Sequence, residues 1–308
     1  MVKTILGLVV GLVALTALVY GVQMPDFRAD QVELLYKLTG LYVAVASVCF
    51  LLGEATKNYS QVDKLWSVIP VAYVWMAADA SQFAPRPTLM AVLATLWGAR
   101  LTFNFARRGG YSWIPWKGDE DYRWALLRAN PAFNAPWKWS LFNFFFISFY
   151  QQGLILLFTL PIVYGWTADG SALTFLDSLL TGAFLVILAL EFVADQQQWN
   201  YQTEKHRRLA AGEPLGDYYG VGFTHTGLWK WVRHPNYASE QAIWLVFAAF
   251  AASATGLWLT PAWLGAALLL VLFNGSANFS EGVTAGKYPA FENYKKKTGK
   301  FLPRLWGN

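Results

Sequence analysis

The chain of 308 residues is 56% hydrophobic, and only 14% of its residues are charged, against about a quarter in soluble domains. This composition excludes a disordered chain and a simple soluble domain, and it favours a polytopic membrane protein. The net charge of +5 is spread over several loops, which is typical of a topology signal and not of a nucleic-acid-binding surface. The single cysteine, Cys49, excludes an internal disulfide.

Apolar runs in the sequence predict eight membrane-spanning helices. The runs cover residues 4–22, 33–53, 65–83, 88–106, 141–164, 172–194, 239–256 and 259–275. The first run matches the ~20 residues that cross the hydrocarbon and has no small-x-small cleavage site after it, so we interpret it as a retained helix. The first three boundaries are soft, and seven spans is the alternative count. The predicted fold is an all-α, polytopic transmembrane bundle of seven to eight spans.

Basic residues predict the orientation of these spans. With eight spans, the basic residues of the two long loops and of the tail lie on one side, and the other side has little beyond Arg28 and Arg86. The positive-inside rule then places both termini and the long loops in the cytoplasm. The endoplasmic reticulum of a eukaryote and the inner membrane of a bacterium both satisfy this topology. We expect the loop at about 196–238 and the tail at about 276–308 to cap a pocket in the bundle.

Two polar stretches lie in the first half of the chain. In 58-NYSQVDKLWSVIP-70, Asp63 is either an ordinary loop charge or, if it faces the bundle, an acid or base. In 95-TLWGARLTFNFARRGG-110, Arg100 lies inside a predicted span, with Asn104 one turn later. An intramembrane arginine is costly, and it indicates either a functional site or an ion pair that holds helices together.

The stretch 191-EFVADQQQWNYQTEKHRR-208 carries polar residues out of the sixth predicted span. Four of them recur at helical spacing on one face, namely Glu191, Asp195, Gln198 and Gln202. Basic residues follow, among them Arg207. Such a face suits the amide, ribose and phosphate groups of a nucleotide. A solvated helix end beneath the lipid headgroups is the alternative interpretation.

The stretch 227-GLWKWVRHPNYASEQAIW-244 places polar groups at the mouth of the seventh span. Its proline suits the first turn of a helix, and the spacing puts Asn236, Tyr237 and Glu240 on one helix face. Arg233 precedes the helix N-terminus, where exposed amides and the helix dipole favour an anion. An interfacial anchor is the alternative, but a carboxylate inside a span needs a partner, and Glu240 therefore favours a ligand site.

Some common sites are missing from the sequence. The histidines His206, His225 and His234 are far apart and lack metal-ligand spacing, so we expect no metal site. The fragment 220-GVGFTH-225 lacks the third glycine of the dinucleotide fingerprint. Any nucleotide must therefore be bound by membrane helices and loops and not by a Rossmann fold.

Three motifs together resemble those of the steroid 5α-reductase-like membrane family, and most closely its large uncharacterised branch. They are 58-NYSQVDKLWS-67, 96-LWGARLTFNFARRGGY-111 and 226-TGLWKWVRHPNYASE-240, and the tail 287-KYPAFENYKKKTGKFLP-303 is similar to the family's closing segment. The resemblance covers about residues 55–305. We therefore expect N-terminal transmembrane helices at 1–54 and a membrane catalytic domain of this type at 55–308.

The resemblance implies an oxidoreductase of lipid metabolism that binds NADPH from the cytoplasm and a lipophilic enone, sterol-like or another lipid, from the membrane. Hydride would reach the β-carbon and a proton the α-carbon. The family's nicotinamide contacts correspond to Asn236 and Glu240. Its ribose and phosphate contacts correspond to the region of Asp195, Gln198 and Arg207. Further cofactor contacts implied are Arg233, His234, Tyr237, Glu281 and Tyr288.

One position departs from the resemblance. The steroid reductases use a Glu–Tyr pair at the substrate carbonyl, with the tyrosine three residues before an arginine. If that arginine is Arg100, the tyrosine position holds Trp97, which cannot donate the proton, and the nearest candidate for the glutamate is Asp63. The predicted catalytic residues are Asp63, Arg100 and Tyr237. Tyr111, Tyr237 and His234 are the alternative proton donors. Steroid specificity is thus in question, although nucleotide binding is not.

Two other functions compete with the reductase. Membrane methyltransferases of the isoprenylcysteine carboxyl type share RHPxY, a terminal hairpin and a glutamate-bearing tail, and they bind S-adenosylmethionine. A lipid-binding membrane protein without catalysis is the second alternative, and the tryptophan at position 97 favours it. A transporter fits less well because the polar groups cluster at one face. Membrane lipids and a lipophilic small molecule are the expected partners, nucleic acid is not, and the oligomeric state is open.

Overall fold

The computed structural model describes residues 26–114, 116–133, 135–167 and 172–304, and the first predicted span, 4–22, lies outside them. The described part of the chain is helical and has one isolated bridge, between Val232 and Gly299. This confirms the all-α prediction. The helices are α1 (Ala29–Thr56), α2 (Gln61–Leu65), α3 (Ile69–Ala80), α4 (Pro85–Ala106), α5 (Tyr122–Arg128), α6 (Pro136–Phe142), a π-helical segment (Asn143–Tyr150), α7 (Gln151–Thr159), α8 (Pro161–Gly165), α9 (Phe175–Ala211), α10 (Gly216–Gly220), a 3₁₀ turn (Gly227–Lys230), α11 (Pro235–Thr255), a 3₁₀ turn (Pro261–Trp263), α12 (Leu264–Lys287) and α13 (Ala290–Lys297).

Five helical stretches of the described chain are long and apolar enough to cross a membrane. They are Ala29–Thr56, Pro85–Ala106, Pro136–Gly165, Phe175–Ala211 and Pro261–Lys287. Each overlaps one of the predicted spans. Large apolar side chains exposed on these stretches, such as Val186 and Val271, suit contact with lipid tails.

The predicted spans at 65–83 and 239–256 correspond to α3 and α11, which are not among these five stretches. Helix α3 has only 12 residues, too few to cross the hydrocarbon at 1.5 Å per residue. A total of seven or eight spans therefore stays a prediction, and so does the orientation of the termini. The predicted domain boundary at 54/55 falls inside the last turn of α1 and also stays a prediction.

Helix α9 is the longest element and positions much of the polar chemistry. A capping box starts it, because the Thr174 hydroxyl accepts from the Asp177 amide and the Asp177 carboxylate accepts from the Thr174 amide at 2.7 Å. Gly212, with φ 66°, ends it in the left-handed conformation that favours glycine. Its 37 residues extend roughly 55 Å, well beyond a hydrocarbon core of about 30 Å. Helix α9 is therefore longer than a hydrocarbon core is thick.

Close packing fixes α4, α7, α11 and α12 around one core. Trp97 and Trp244 meet edge to face at 4.8 Å between ring centroids, and Phe158 lies 4.0 Å from Trp244. A side chain at Gly265 would lie 2.2 Å from the Phe158 amide nitrogen, so only glycine lets α12 approach α7 this closely. The core thus lies directly beneath the polar residues of α4 and α11.

Candidate functional site

A cavity of about 640 Å³ lies between α2, α4, α5, the π-helical segment, α9, α11 and α12. Six of the residues predicted from sequence as catalytic or cofactor-binding line it, namely Asp63, Arg100, Asp195, Asn236, Tyr237 and Glu240. They come from four helices, and the three sequence motifs around 58–67, 96–111 and 226–240 all contribute. The cavity is therefore the place in the described chain where the predicted residues meet.

The Arg100 guanidinium is the centre of the polar wall. Its Nη1 donates to Asp195 Oδ2 at 2.5 Å, and its Nη2 donates to Glu240 Oε2 at 3.2 Å. The same Nη2 lies 2.9 Å from Glu191 Oε1. All four side chains are at most 6% exposed. One buried cation thus faces three buried acidic groups, and we call these four residues the Arg100 cluster.

Two tryptophans hold the Glu240 carboxylate in place. Trp97 Nε1 donates to Glu240 Oε2 at 2.9 Å, and Trp244 Nε1 donates to Oε1 at 3.2 Å. Trp97 is the residue at the position where the resemblance implies a tyrosine. In this fold it packs in the core and presents an N–H to the carboxylate, so its role is to orient Glu240.

Asp195 is held from both sides by amides. Asn104 Nδ2 donates to Oδ2, the oxygen that Arg100 also contacts, and Asn236 Nδ2 donates to Oδ1 at 3.1 Å. Asn104 and Arg100 lie four residues apart on α4 and so face the same neighbour. The Oδ1 atom of Asn104 is buried and has no hydrogen-bond partner in the described chain. It is an acceptor without a donor, on a residue that lines the cavity.

Another part of the cavity wall is aromatic. Phe142, Phe146 and Tyr150 stack in a row, with centroid distances of 5.0 Å and 5.3 Å and interplanar angles of 17° and 11°. The last two lie in the π-helical segment, a rare geometry that is frequent at functional sites. A flat apolar ligand would find an extended ring surface here.

A second acidic group lies on the cavity wall at Asp63. Trp124 Nε1 donates to Asp63 Oδ2 at 3.1 Å. Burial raises the pKa of Asp63, and the charge of nearby Asp121 adds to this, whereas Arg123 and the hydrogen bonds act in the opposite direction. Arg123 itself donates to Asp121 at 2.8 Å. The environment of Asp63 therefore favours the protonated carboxyl more than water does.

Six other residues predicted for cofactor binding lie away from the cavity in the described structure. Gln198 accepts from the Thr224 hydroxyl at 2.5 Å. Arg207 is half-exposed and forms ion pairs with Glu204 and Glu213 at 2.8 Å each. The Tyr288 ring packs on Gly222. These contacts are local, and none of the three side chains lines the cavity.

Arg233, His234 and Glu281 form a buried cluster of their own. Arg233 Nε donates to Glu281 Oε1 at 2.8 Å, and His234 Nε2 lies 2.9 Å from the same oxygen. The Arg233 guanidinium also donates to the Thr298 carbonyl, and its backbone N–H donates to Gly299 O at 2.8 Å. Arg233 therefore holds the tail against α11, in place of the anion that its position before the helix suggested.

The alternative proton donors also differ in whether they line the cavity. Tyr111 donates to the Lys64 carbonyl at 2.8 Å and does not line the cavity. His234 contacts Glu281, whereas Tyr237 lines the cavity and stacks on His234. Among these three residues, Tyr237 alone is in the cavity wall.

The structure adds residues that the sequence analysis did not assign to the site. Glu191 and Asn104 were noted for spacing alone, and both belong to the polar wall. Arg108 also lines the cavity, is exposed, and forms no ion pair within the described ranges. Helical spacing from Asp195 and Arg100 indicated the first two, and the RRGG sequence gave no signal that one arginine would face the cavity.

Comparisons with known proteins found a matching protein family and a related protein. A model of the family described as "Protein of unknown function (DUF1295)" matches residues 49–298. The chain is 36% identical over 294 residues to uncharacterized protein C594.04c of Schizosaccharomyces pombe, covering 89% of this chain and 83% of that protein. No solved structure matches. The family match includes every described residue of the cavity wall named above.

Proposed function

The chain belongs to the DUF1295 family, and we propose that it is an integral membrane oxidoreductase that reduces a C=C bond of a lipophilic enone with NADPH. The observation that supports this most is that residues from separate sequence motifs line the same cavity. Asp63, Arg100, and the Asn236–Glu240 pair come from three separate motifs of the sequence, and all line one cavity. These motifs are the ones that resemble the steroid 5α-reductase-like family.

The polar wall fits the nicotinamide end of a cofactor. A carboxamide carries both N–H donors and a carbonyl acceptor, and the wall offers amide and carboxylate groups from Asn104, Asn236 and Glu240. The Asn104 Oδ1 atom, buried without a donor, suits an incoming N–H. Arg108, at the cavity edge without an ion pair in the described chain, suits a phosphate. When bound, the reduced nicotinamide would supply the hydride.

The remaining wall fits the lipophilic substrate. The stacked rings of Phe142, Phe146 and Tyr150 would bind a flat apolar body by burial and ring contact. They also exclude water, which strengthens every electrostatic interaction inside the cavity. Asp63 and Tyr237 face the same space. The Tyr237 hydroxyl would donate to a carbonyl, and burial, which raises the pKa of the Asp63 carboxyl, favours a proton there as well.

The reaction consumes one hydride and one proton. The hydride goes to the β-carbon of the enone, the C=C bond electrons move towards the carbonyl, and a proton from the protein goes to the α-carbon. The protein therefore has to orient two ligands, hold a proton and keep water away. The Arg100 cluster would keep α4, α9 and α11 fixed relative to one another while this occurs.

A cofactor titration tests the proposal directly. Purified protein in lipid nanodiscs is melted with NADPH, with NADH or with S-adenosylmethionine, and NADPH is expected to raise the melting temperature most. Glu240→Gln should weaken NADPH binding by about 1–3 kcal/mol, the cost of a buried donor left without its acceptor. Glu33→Gln, on the exposed face of α1 and paired only with Lys37, is the matched control and should bind NADPH normally.

Substrate turnover is measured on the same preparation. A panel of α,β-unsaturated ketones, steroidal and non-steroidal, is incubated with NADPH, and cofactor oxidation is measured together with the reduced product. If Glu240→Gln changes neither cofactor affinity nor turnover, a lipid-binding protein without catalysis becomes the better explanation.

A methyltransferase is the second candidate because of the charge in the cavity. Three acidic groups around one guanidinium would attract a sulfonium cation, which S-adenosylmethionine carries, by the same attraction that favours any cation there. Stabilisation by S-adenosylmethionine with none by NADPH would reverse the ranking of these two functions.

A further inference from the structure

The Arg100 cluster is unbalanced, and its hydrogen bonds show where the imbalance lies. Arg100 is the single cation within contact of Glu191, Asp195 and Glu240 in the described chain. Arg107, the next basic residue along α4, reaches the backbone carbonyl of Asp195 and not its carboxylate. Two uncompensated negative charges in a buried site would be costly, so the cluster is expected to take up a proton.

Donors contact both oxygens of the Glu240 carboxylate. Its Oε2 accepts from Trp97 and Arg100, and its Oε1 accepts from Trp244. Three donors around this carboxylate favour its charged form.

Asp195 is surrounded by donors in the same manner. Its Oδ2 accepts from Arg100 and Asn104, and its Oδ1 accepts from Asn236. Three donors around one carboxylate stabilise the charged form.

Glu191 differs from both. Its Oε1 lies against Arg100, but its Oε2 is buried and receives no hydrogen bond from the described chain. Within the described chain, Glu191 thus has one charged contact, whereas Glu240 and Asp195 each accept from three donors. Because a proton goes to the carboxylate whose charge is least stabilised, it belongs on Glu191.

We propose that Glu191 holds a proton at neutral pH and is the acid that gives it to the ligand in the cavity. Glu191 lines the cavity, and its proton would go to the α-carbon, not to the carbonyl that Asp63 and Tyr237 face. The transfer step rests on the proposed reductase function: the O–H bond of Glu191 breaks, a C–H bond forms at the α-carbon, and the carboxylate takes a new proton from water. The protonation itself does not depend on that function.

Infrared spectroscopy tests the protonation without any ligand. A protonated carboxyl has a C=O stretch that is resolved from ionised carboxylates and shifts in D₂O. The difference between wild type and Glu191→Gln at neutral pH should contain one such band. The Glu33→Gln difference spectrum should lack it. A Glu191→Gln spectrum that retains every protonated-carboxyl band would overturn the proposal.

Thermal stability provides a second, independent readout. Glutamine is a neutral isostere of a protonated glutamate, so Glu191→Gln should melt near the wild-type temperature. Glu240→Gln should melt clearly lower, because its new NH₂ group would face either Trp97 or Trp244, both donors. If Glu191→Gln fails to fold or melts as low as Glu240→Gln, Glu191 is charged and the proposal is wrong.

The transfer step is measured on the same variants. Glu191→Gln should bind NADPH within about threefold of wild type and lose at least tenfold in turnover of any enone that wild type reduces. Unchanged turnover with the infrared band removed would overturn the donor role alone. If wild type does not bind NADPH, the reductase and the donor role both fail, while the infrared and melting results still decide whether Glu191 is protonated.

Discussion

Helix α4 buries two arginines, and both face α9, yet the two regions differ. Arg86 donates to both oxygens of Asp177 at 3.1 Å and to the Ala172 carbonyl at 2.7 Å. Asp177 also accepts from the Thr174 amide that it caps. One positive charge meets one negative charge. Arg100, by contrast, meets three acidic groups, and its own Nε has no partner in the described chain.

The two charged regions are separated by the same number of residues on α4 and on α9. From Arg86 to Arg100 and from Asp177 to Glu191 the distance is fourteen residues along each helix, about 21 Å at the rise of an α-helix. The same two helices thus form a complete ion pair at one level and an incomplete cluster at another. The complete pair is explained by helix association alone. The excess acid of the cluster adds cost without adding pairing, and a ligand or proton requirement explains it.

The largest expected effect is on the complete pair. Arg86→Met leaves Asp177 buried without its cation and should lower the free energy of unfolding by about 3–5 kcal/mol. Chemical unfolding in detergent measures it. The double variant Arg86→Met/Asp177→Leu removes both charges and should recover most of the loss. A loss below about 1 kcal/mol would show that the pair is not needed for helix association.

A smaller loss is expected at the cluster. Arg100→Lys replaces a planar fork by a compact ammonium that cannot contact three acidic groups at once, and we expect about 1–3 kcal/mol. The folded variant would need more bound protons than wild type, whereas the unfolded chain would not, so its stability should fall as pH rises. Unfolding at mildly acidic and mildly alkaline pH measures this slope. An equal loss at both pH values would contradict the proton uptake.

Removing one donor should cost less again. Trp97→Phe keeps most of the aromatic packing against Trp244 and removes the N–H that reaches Glu240 at 2.9 Å. A hydrogen bond to a charged group contributes about 1.5–3 kcal/mol, and Arg100 and Trp244 still hold this carboxylate, so we expect the lower end. Trp75→Phe, which loses an indole bond to a hydroxyl, is the control and should cost less.

Local sequence patterns predicted the parts of this fold that depend on spacing. Helical spacing put Asn236 and Glu240 on one face, and both line the cavity. Apolar length identified five helical stretches that could cross a membrane. The run at 65–83 failed as one helix, because the chain turns after α2 and α3 starts at Ile69, with Pro70 in its first turn.

Contacts between distant residues were the part that spacing could not predict. From its sequence neighbours, Arg233 was expected to be a cation open to an anion before a helix. Its partner, Glu281, lies 48 residues later on α12. Trp97 stands where the resemblance implies a tyrosine, and its indole N–H donates to Glu240, 143 residues later in the chain. Periodicity reports which face a residue occupies and contains no information about which helix covers that face.

The smallest expected effects on stability are those of Asp63 and Asp121, two neighbouring acidic residues of the cavity wall. Burial raises the pKa of Asp63, so the folded protein binds that proton more tightly than the unfolded chain does. Its contribution to stability is therefore complete below the ordinary aspartate pKa and is lost as pH rises through the folded value. Asp63→Asn, which keeps an oxygen for Trp124, should match wild type at acidic pH and become the more stable protein as pH rises.

Asp121 should give the opposite sign. Burial opposes its charge, but hydrogen bonds from Arg123 and the charge of that arginine outweigh it and lower the pKa of Asp121. The stability that Asp121 contributes is present above the ordinary aspartate pKa and is lost as pH falls through the lowered value. Asp121→Asn should therefore be less stable than wild type at neutral pH and approach it in acid. Unfolding midpoints of both variants across the same pH range measure the two slopes, and slopes of equal sign would contradict the opposite pKa shifts of Asp63 and Asp121.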